Sequence, residues 1–175
     1  MIMEKENPMR EIIVEKVTLN IGVGQGGIEL ENAKTLLQRL TSRKPTETAA
    51  RVRNPVFHIK KGDRIGAKVT LRNAQAIEFL KKAFKAKENK LSSKNFDKFG
   101  NFSFGISEYI NFPGIKYDPK IGVIGFDVCV SLKRKGGWRT KLKKTQKSKI
   151  SKKHYITKEE GIEFVKKTFG IEITG

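Results

Sequence analysis

Cysteine is nearly absent from this chain: Cys129 is the only one in 175 residues, so no disulfide can form within it, and a reducing compartment suits the composition. Histidine is almost as scarce. His58 and His154 are the whole complement, and neither has a second ligand at the spacing of a zinc site, so no metal or other cofactor is expected. No apolar run approaches the roughly 20 residues that cross a bilayer, which excludes a membrane-spanning helix. The polar residues 1–10 lack the basic-then-apolar order of a secretory signal, and the expectation is a chain that stays in the cytoplasm. Acidic residues are also in short supply: 18 Asp and Glu stand against 37 Lys and Arg, a formal net charge of +19. That excess is far beyond what solubility requires and points to a polyanionic partner. There is no nucleophile with a paired base and no cluster of carboxylates, so the chain reads as non-enzymatic.

What is present is periodic. Across residues 11–21, Val17, Leu19 and Ile21 fall on one side and Lys16, Thr18 and Asn20 on the other, as in a half-buried strand. A glycine-rich turn over 22–27 leads to a helix over 28–41 with Ile28, Ala33, Leu36, Leu37 and Leu40 near one face. Pro45 stops that helix. A short strand over 47–52, a basic hairpin tip over 51–64 and a second alternating strand over 66–72 follow, with Ala67, Val69 and Leu71 inward and Lys68, Thr70 and Arg72 outward. Asn73 is placed to cap a second helix whose apolar face carries Ala76, Ile77, Leu80, Ala83 and Phe84. Aromatic residues gather among glycines between 91 and 119, in a loop region with a strand near 101–106. Residues 121–132 read as the longest strand, with Ile124, Phe126, Val128, Val130 and Leu132 toward the core. Thr157 and Glu160 form a capping box for a C-terminal helix carrying Ile162, Phe164, Val165 and Phe169. Length and pattern suit a single domain over 1–175 with a basic loop at 133–153.

Three features bear on function. Gly22, Gly24 and Gly27 match GxGxxG between a strand and a helix, where a dinucleotide's phosphates could rest. Against a nucleotide-dependent enzyme, the first strand alternates, whereas strands of a parallel dinucleotide-binding sheet are apolar on both faces. A tight turn is the favoured reading of these glycines. The second feature is the pair of outward faces, Lys16, Thr18, Asn20 and Lys68, Thr70, Arg72, which on neighbouring strands would put cations beside short hydrogen-bonding groups. Pattern alone fits the solvent face of an antiparallel sheet equally well. The third is the run 133–153, which holds eleven Lys or Arg and no acid. An ordinary solvated loop mixes signs, so Lys133, Arg134, Lys135, Arg139, Lys141, Lys143 and Lys144 are candidate phosphate contacts, and mobility without a partner is expected. Trp138 either stacks on RNA or anchors the loop to the protein. A general nucleic-acid or chromatin-like binder would rest on the charge alone.

Three blocks, in order, carry a family resemblance: Val17 to Gly24, Ile65 to Arg72, and the stretch from Gly100 through Pro119. They make the chain similar to the universal large-subunit ribosomal proteins that bind 5S ribosomal RNA, protein five of that subunit. The short N-terminal segment and the basic insertion at 133–153 resemble the archaeal and eukaryotic branch. The resemblance implies an α+β fold, an antiparallel sheet with helices on one face and long basic loops, with 5S RNA on or beside the other face. It implies RNA contacts at Asn20 and Thr70. Where the family often has Gly-Gln-Lys-Pro after its first helix, this chain has Ser42, Arg43, Lys44 and Pro45, so the family's Gln has no counterpart here, and Arg43 in its place could reach the same RNA by charge. The resemblance further implies a place in the central protuberance, with large-subunit RNA, other central-protuberance proteins, the peptidyl-site tRNA and a protein of the small-subunit head as partners. The hairpin carrying Arg51, Arg53, Lys60, Lys61 and Arg64 would then lie near that tRNA.

Overall fold

A computed structural model describes residues 7–136 and 142–174. In chain order the elements are β1 (Ile12–Gly22), α1 (Ile28–Thr41), β2 (Thr46–Ala49), β3 (Arg64–Leu71), α2 (Asn73–Ala86), β4 (Lys90–Ser92), β5 (Phe102–Ile106), β6 (Phe126–Arg134), α3 (Lys158–Phe169) and β7 (Glu172–Thr174). Five of the strands form one sheet in the order β2-β3-β1-β6-β5, and every neighbouring pair in it is antiparallel. β4 and β7 form a small parallel pair beside it. The fold is α+β, as the resemblance implies.

The alternation seen in the sequence buries one face of this sheet and only one. Val17, Leu19 and Ile21 of β1 stand beside Leu71, Val69 and Ala67 of β3, and Val128 and Val130 of β6 continue the row to Phe104 and Phe102 of β5, all of them buried. A register shift between Val14 and Lys16 inserts a residue against β6. This bulge changes the parity of the strand, so that Ile12 and Val14 before it and Val17 after it all pack toward the core. The helices cover this face, with α1 packed on β3 and α2 on β1. Phe84 of α2 lies 5.4 Å from Phe104 and 5.1 Å from Phe169 of α3 between ring centroids, joining two helices to the sheet.

Several details differ from the sequence expectation. In α1 Leu30 is buried while Ile28, in the first turn, is exposed, because α1 presents its 30–33–37 side to β3. In α2 Ile77 is exposed and Phe79 takes its place in the core, stacked on Phe112 at 5.0 Å. Asn73 caps nothing with its side chain; it has a left-handed φ of 55°, and the cap position is Arg72. β6 starts at Phe126 rather than near 121, so β1 is the longest strand; Ile121 and Ile124 reach the core from the preceding loop.

The largest departure is Arg134. Alternation from Val130 and Leu132 turns this residue inward at the end of β6, where it is 6 % exposed. Its guanidinium donates to both carboxylate oxygens of Glu160 at 2.7 and 2.8 Å, to the Arg10 carbonyl at 2.7 Å and to the His154 carbonyl at 3.1 Å. Glu160 is also the third residue of the α3 capping box: its carboxylate accepts from the Thr157 N–H while its own N–H donates to the Thr157 hydroxyl. One buried cation thus ties together the N-terminal segment, the C-terminal flank of the basic segment and the start of α3. His154 completes the closure by donating from Nε2 to the Gly136 carbonyl at 2.7 Å.

Partial burial pushes the Glu160 carboxyl up, but the Thr157 N–H and the Arg134 guanidinium outweigh it and hold it below the usual carboxylate range. A carboxylate that ionises more readily in the folded chain stabilises it above its unfolded pKa, and that contribution is lost as the pH falls through the folded value. Glu160→Gln is expected to cost about 2 kcal/mol at neutral pH, the scale of a charged hydrogen bond. The gap from the parent should close as the pH drops below the ordinary glutamate value of 4.5. Thermal unfolding of both proteins across that range measures it, and a gap independent of pH would contradict the assignment.

Candidate nucleic-acid interface

Opposite the helices, the same alternation assembles an uncovered polar face. The register places Thr46 beside Lys68, Lys68 beside Asn20, Asn20 beside Asp127, and Asp127 beside Gly105, in one row across all five strands. The next row runs Thr70, Thr18, Cys129, Ser103, and Lys16 stands beside Ser131 beyond it. Thr18, Asn20 and Thr70 are half-buried by their neighbours and Lys68 is exposed. None of the side chains of Lys16, Thr18, Asn20, Lys68 or Thr70 is engaged in a hydrogen bond or ion pair among the described residues, so their donors and acceptors face outward unspent. Short side chains make this floor shallow, which lets a large, rigid partner approach the backbone closely. Burial pushes the Cys129 thiol up, and the negative charge of Asp127 adds to it, so the thiol is not an activated nucleophile.

Cations stand around this floor. Arg72 follows β3, and Arg43 and Lys44 occupy the turn from α1 into β2; all are exposed. Arg51, Arg53, Lys60 and Lys61 lie on the hairpin joining β2 to β3, and Arg64 opens β3, 3.8 Å from Glu47. This hairpin is ordered by its own backbone: Asn54 and Ile59 exchange both N–H to carbonyl bonds at 2.9 and 3.0 Å, and Ala50 donates to Asp63 at 2.8 Å. Its tip carries Val56 and Phe57, both largely exposed, which the sequence reading passed over in favour of the surrounding charges. The signal was the apolar pair set between Pro55 and His58 in an otherwise basic stretch.

The candidate contacts of the basic segment separate. Lys133 is half-buried on β6, Arg134 is spent on Glu160, and Lys135 pairs with Glu11. Arg134 is therefore a correction: it belongs to the interior and is unavailable to a phosphate. Lys143 and Lys144 are exposed, while Trp138, Arg139 and Lys141 lie outside the described residues. Gly22, Gly24 and Gly27 form the turn before α1, with Gly24 and Gly27 at positive φ. The strand feeding them has antiparallel neighbours on both sides, which is not the parallel strand-helix-strand unit of a dinucleotide site. Among the described residues no three His, Cys, Asp or Glu side chains group as metal ligands, and no helix is long and apolar enough to cross a membrane.

An α+β protein with a bare polar sheet face and cations on the loops beside it has the build of a polyanion-binding protein. Comparison with known families narrows the class. A model described as ribosomal protein L5 matches residues 7–60, and a second, describing the C-terminus of the same ribosomal family, matches residues 64–164. The large ribosomal subunit protein uL5 of Picrophilus torridus is 46% identical over 170 residues, covering 97% of each chain. That of Sulfolobus acidocaldarius is 46% identical over 97% of this chain and 95% of its own, and that of Archaeoglobus fulgidus 48% identical over 91% and 89%. The chain belongs to the ribosomal protein L5 family, and it is a ribosomal protein rather than an enzyme. The two matched portions meet inside one sheet, since β1 and β2 come from the first and β3, β5 and β6 from the second.

Proposed function

We propose that this protein, as a single 1–175 unit in the large subunit of the cytoplasmic ribosome, binds 5S ribosomal RNA with the uncovered face of its five-stranded sheet. The observation that carries this reading is the face itself, where Asn20, Thr18 and Thr70 meet across adjacent strands with no side-chain partner among the described residues, flanked by Lys16 and Lys68. Short polar groups serve to reach ribose hydroxyls and base edges, while lysines and arginines neutralise phosphates. Arg43, Lys44 and Arg72 extend the charged rim, and Lys143 and Lys144 are positioned for ribosomal RNA beyond it. In this reading the protein holds 5S RNA in the central protuberance among neighbouring ribosomal proteins. The ordered hairpin with Arg51, Arg53, Lys60, Lys61 and Arg64 is turned to the peptidyl-site tRNA, beside a protein of the small-subunit head.

Binding to purified 5S RNA is expected to weaken steeply with salt, with a slope in log affinity of about 0.7–0.9 per phosphate neutralised. Asn20→Ala should cost about 1–3 kcal/mol of affinity with the slope unchanged, because it removes a hydrogen-bonding group and no charge. Filter-binding or fluorescence titration at several salt concentrations, with an unrelated structured RNA as comparison, checks both. Equal affinity of variant and parent removes Asn20 from the interface. For the hairpin, replacing Arg53, Lys60, Lys61 and Arg64 together with Ala should weaken peptidyl-site tRNA binding to assembled ribosomes while 5S RNA binding by the free protein changes far less. Unchanged tRNA binding would rule out the hairpin's assignment.

A further inference from the structure

The ladder between β1 and β6 ends at the pair Asn20–Asp127, whereas β1 goes on pairing with β3 as far as Gly22 and β6 goes on pairing with β5 through Phe126. The two central strands part company there and leave an open notch of about 400 Å³ at this end of the sheet, lined by Asn20, Gly22, Ser107, Gly125 and Asp127, by the core-side residues Ile21, Ile106 and Phe126, and by Lys87 at the C-terminal end of α2. Its wall is built closely. A Cβ on Gly125 would fall 2.7 Å from the Ser107 carbonyl oxygen and 2.9 Å from that of Ile106, so only glycine lets the chain enter β6 against the end of β5. Beside Asp127 stands Gly105, whose missing side chain leaves the carboxylate uncovered; a Cβ there would touch Oδ1 at 3.4 Å.

Asp127 is out of keeping with its surroundings. It is the only acidic residue in the two rows that cross the polar face, it is exposed, and among the described residues it forms no ion pair and no side-chain hydrogen bond. On a face that meets a polyanion, a bare carboxylate repels phosphates and forfeits its water unless the partner supplies donors. RNA has only two kinds of donor, base N–H groups and ribose 2′-hydroxyls. A carboxylate at the mouth of a notch, next to an amide, suits a base edge better than a ribose on a continuous backbone. Guanine alone presents two adjacent N–H donors on its Watson–Crick edge, matching the two oxygens of a carboxylate.

We propose that the notch is a pocket for one unpaired guanine of the bound RNA, read on its N1 and N2 edge by Asp127, with Asn20 beside it. The pocket rests on the RNA-binding reading of the sheet face and adds base specificity to it. Its signature is a sign. Electrostatics alone makes loss of a negative charge from a +19 protein strengthen RNA binding, whereas loss of a bidentate base contact weakens it.

The test uses full-length protein, 5S RNA and an unrelated structured RNA. Kethoxal, which modifies N1 and N2 of unpaired guanines, should find one guanine of 5S RNA protected by the parent protein. Asp127→Asn, with its thermal midpoint checked against the parent, should bind 5S RNA about tenfold or more weakly and leave that guanine reactive. Binding by Asp127→Asn that equals or exceeds the parent's overturns the pocket, as does a parent footprint that protects no unpaired guanine, a result that needs no variant at all. A parent protein that prefers 5S RNA but fails these tests loses the pocket alone; one with no preference for 5S RNA loses the sheet-face reading as well.

Discussion

An antiparallel sheet can be closed on one face by helices and left open on the other, and everything distinctive in this protein follows from that one-sided burial. Helices α1, α2 and α3 and most aromatic residues of the 91–119 region (Phe96, Phe102, Phe104, Tyr109 and Phe112) are spent on a single apolar layer, from Val17 and Leu19 at its centre to Phe102 and Phe104 at its edge, while Phe99 and Tyr117 stay exposed. Because strand side chains alternate, the residues between them had to go to the opposite face, and they are short: threonine, asparagine, serine and glycine with a few lysines. Such a face binds a rigid polar object better than it packs a further layer of the same chain.

Part of the positive charge lies beside that face, on Arg43, Lys44, Arg72 and the β2–β3 hairpin, while Lys81, Lys82, Lys85 and Lys87 are exposed on α2 and its C-cap on the helix side. Most of the cations that border it are exposed and unpaired by acids. The exception, Arg134, shows what happens to a cation the fold needs for itself: it is buried, doubly hydrogen-bonded to Glu160 and set against two carbonyls. That cluster closes the base of the basic segment, so its exposed lysines spring from a fixed point on the body. Folding and binding thus draw on different residues of one charged stretch.

Strand alternation was legible from single residues, and with it the polar faces of β1 and β3, because period two is a local property. The capping box at Thr157 and Glu160 was legible for the same reason. The inward turn of Arg134 was also implied by continuing the alternation past Leu132, but a run of eleven cations reads as solvated unless its buried partner is known, and Glu160 lies 26 residues away in the chain. The exchange of Ile77 for Phe79 on α2 reflects packing against Phe112, a contact no periodicity contains. Asp127 could be assigned to the outer side of its strand, yet its position next to Asn20, at the point where two strands separate, depends on register across the sheet. Pairwise register between distant strands is what one sequence withholds.

Cys129 offers the most direct measurement of the central claim, since it is the only cysteine and lies in the middle row of the open face, between Thr18 and Ser103. Its rate of alkylation, followed at mildly alkaline pH in the folded protein, reports whether that row is covered. Saturating 5S RNA is predicted to slow the reaction severalfold while the same concentration of an unrelated structured RNA leaves it unchanged. An alkylation rate unaffected by bound 5S RNA would mean that the RNA sits elsewhere and that the bare sheet face is not its seat.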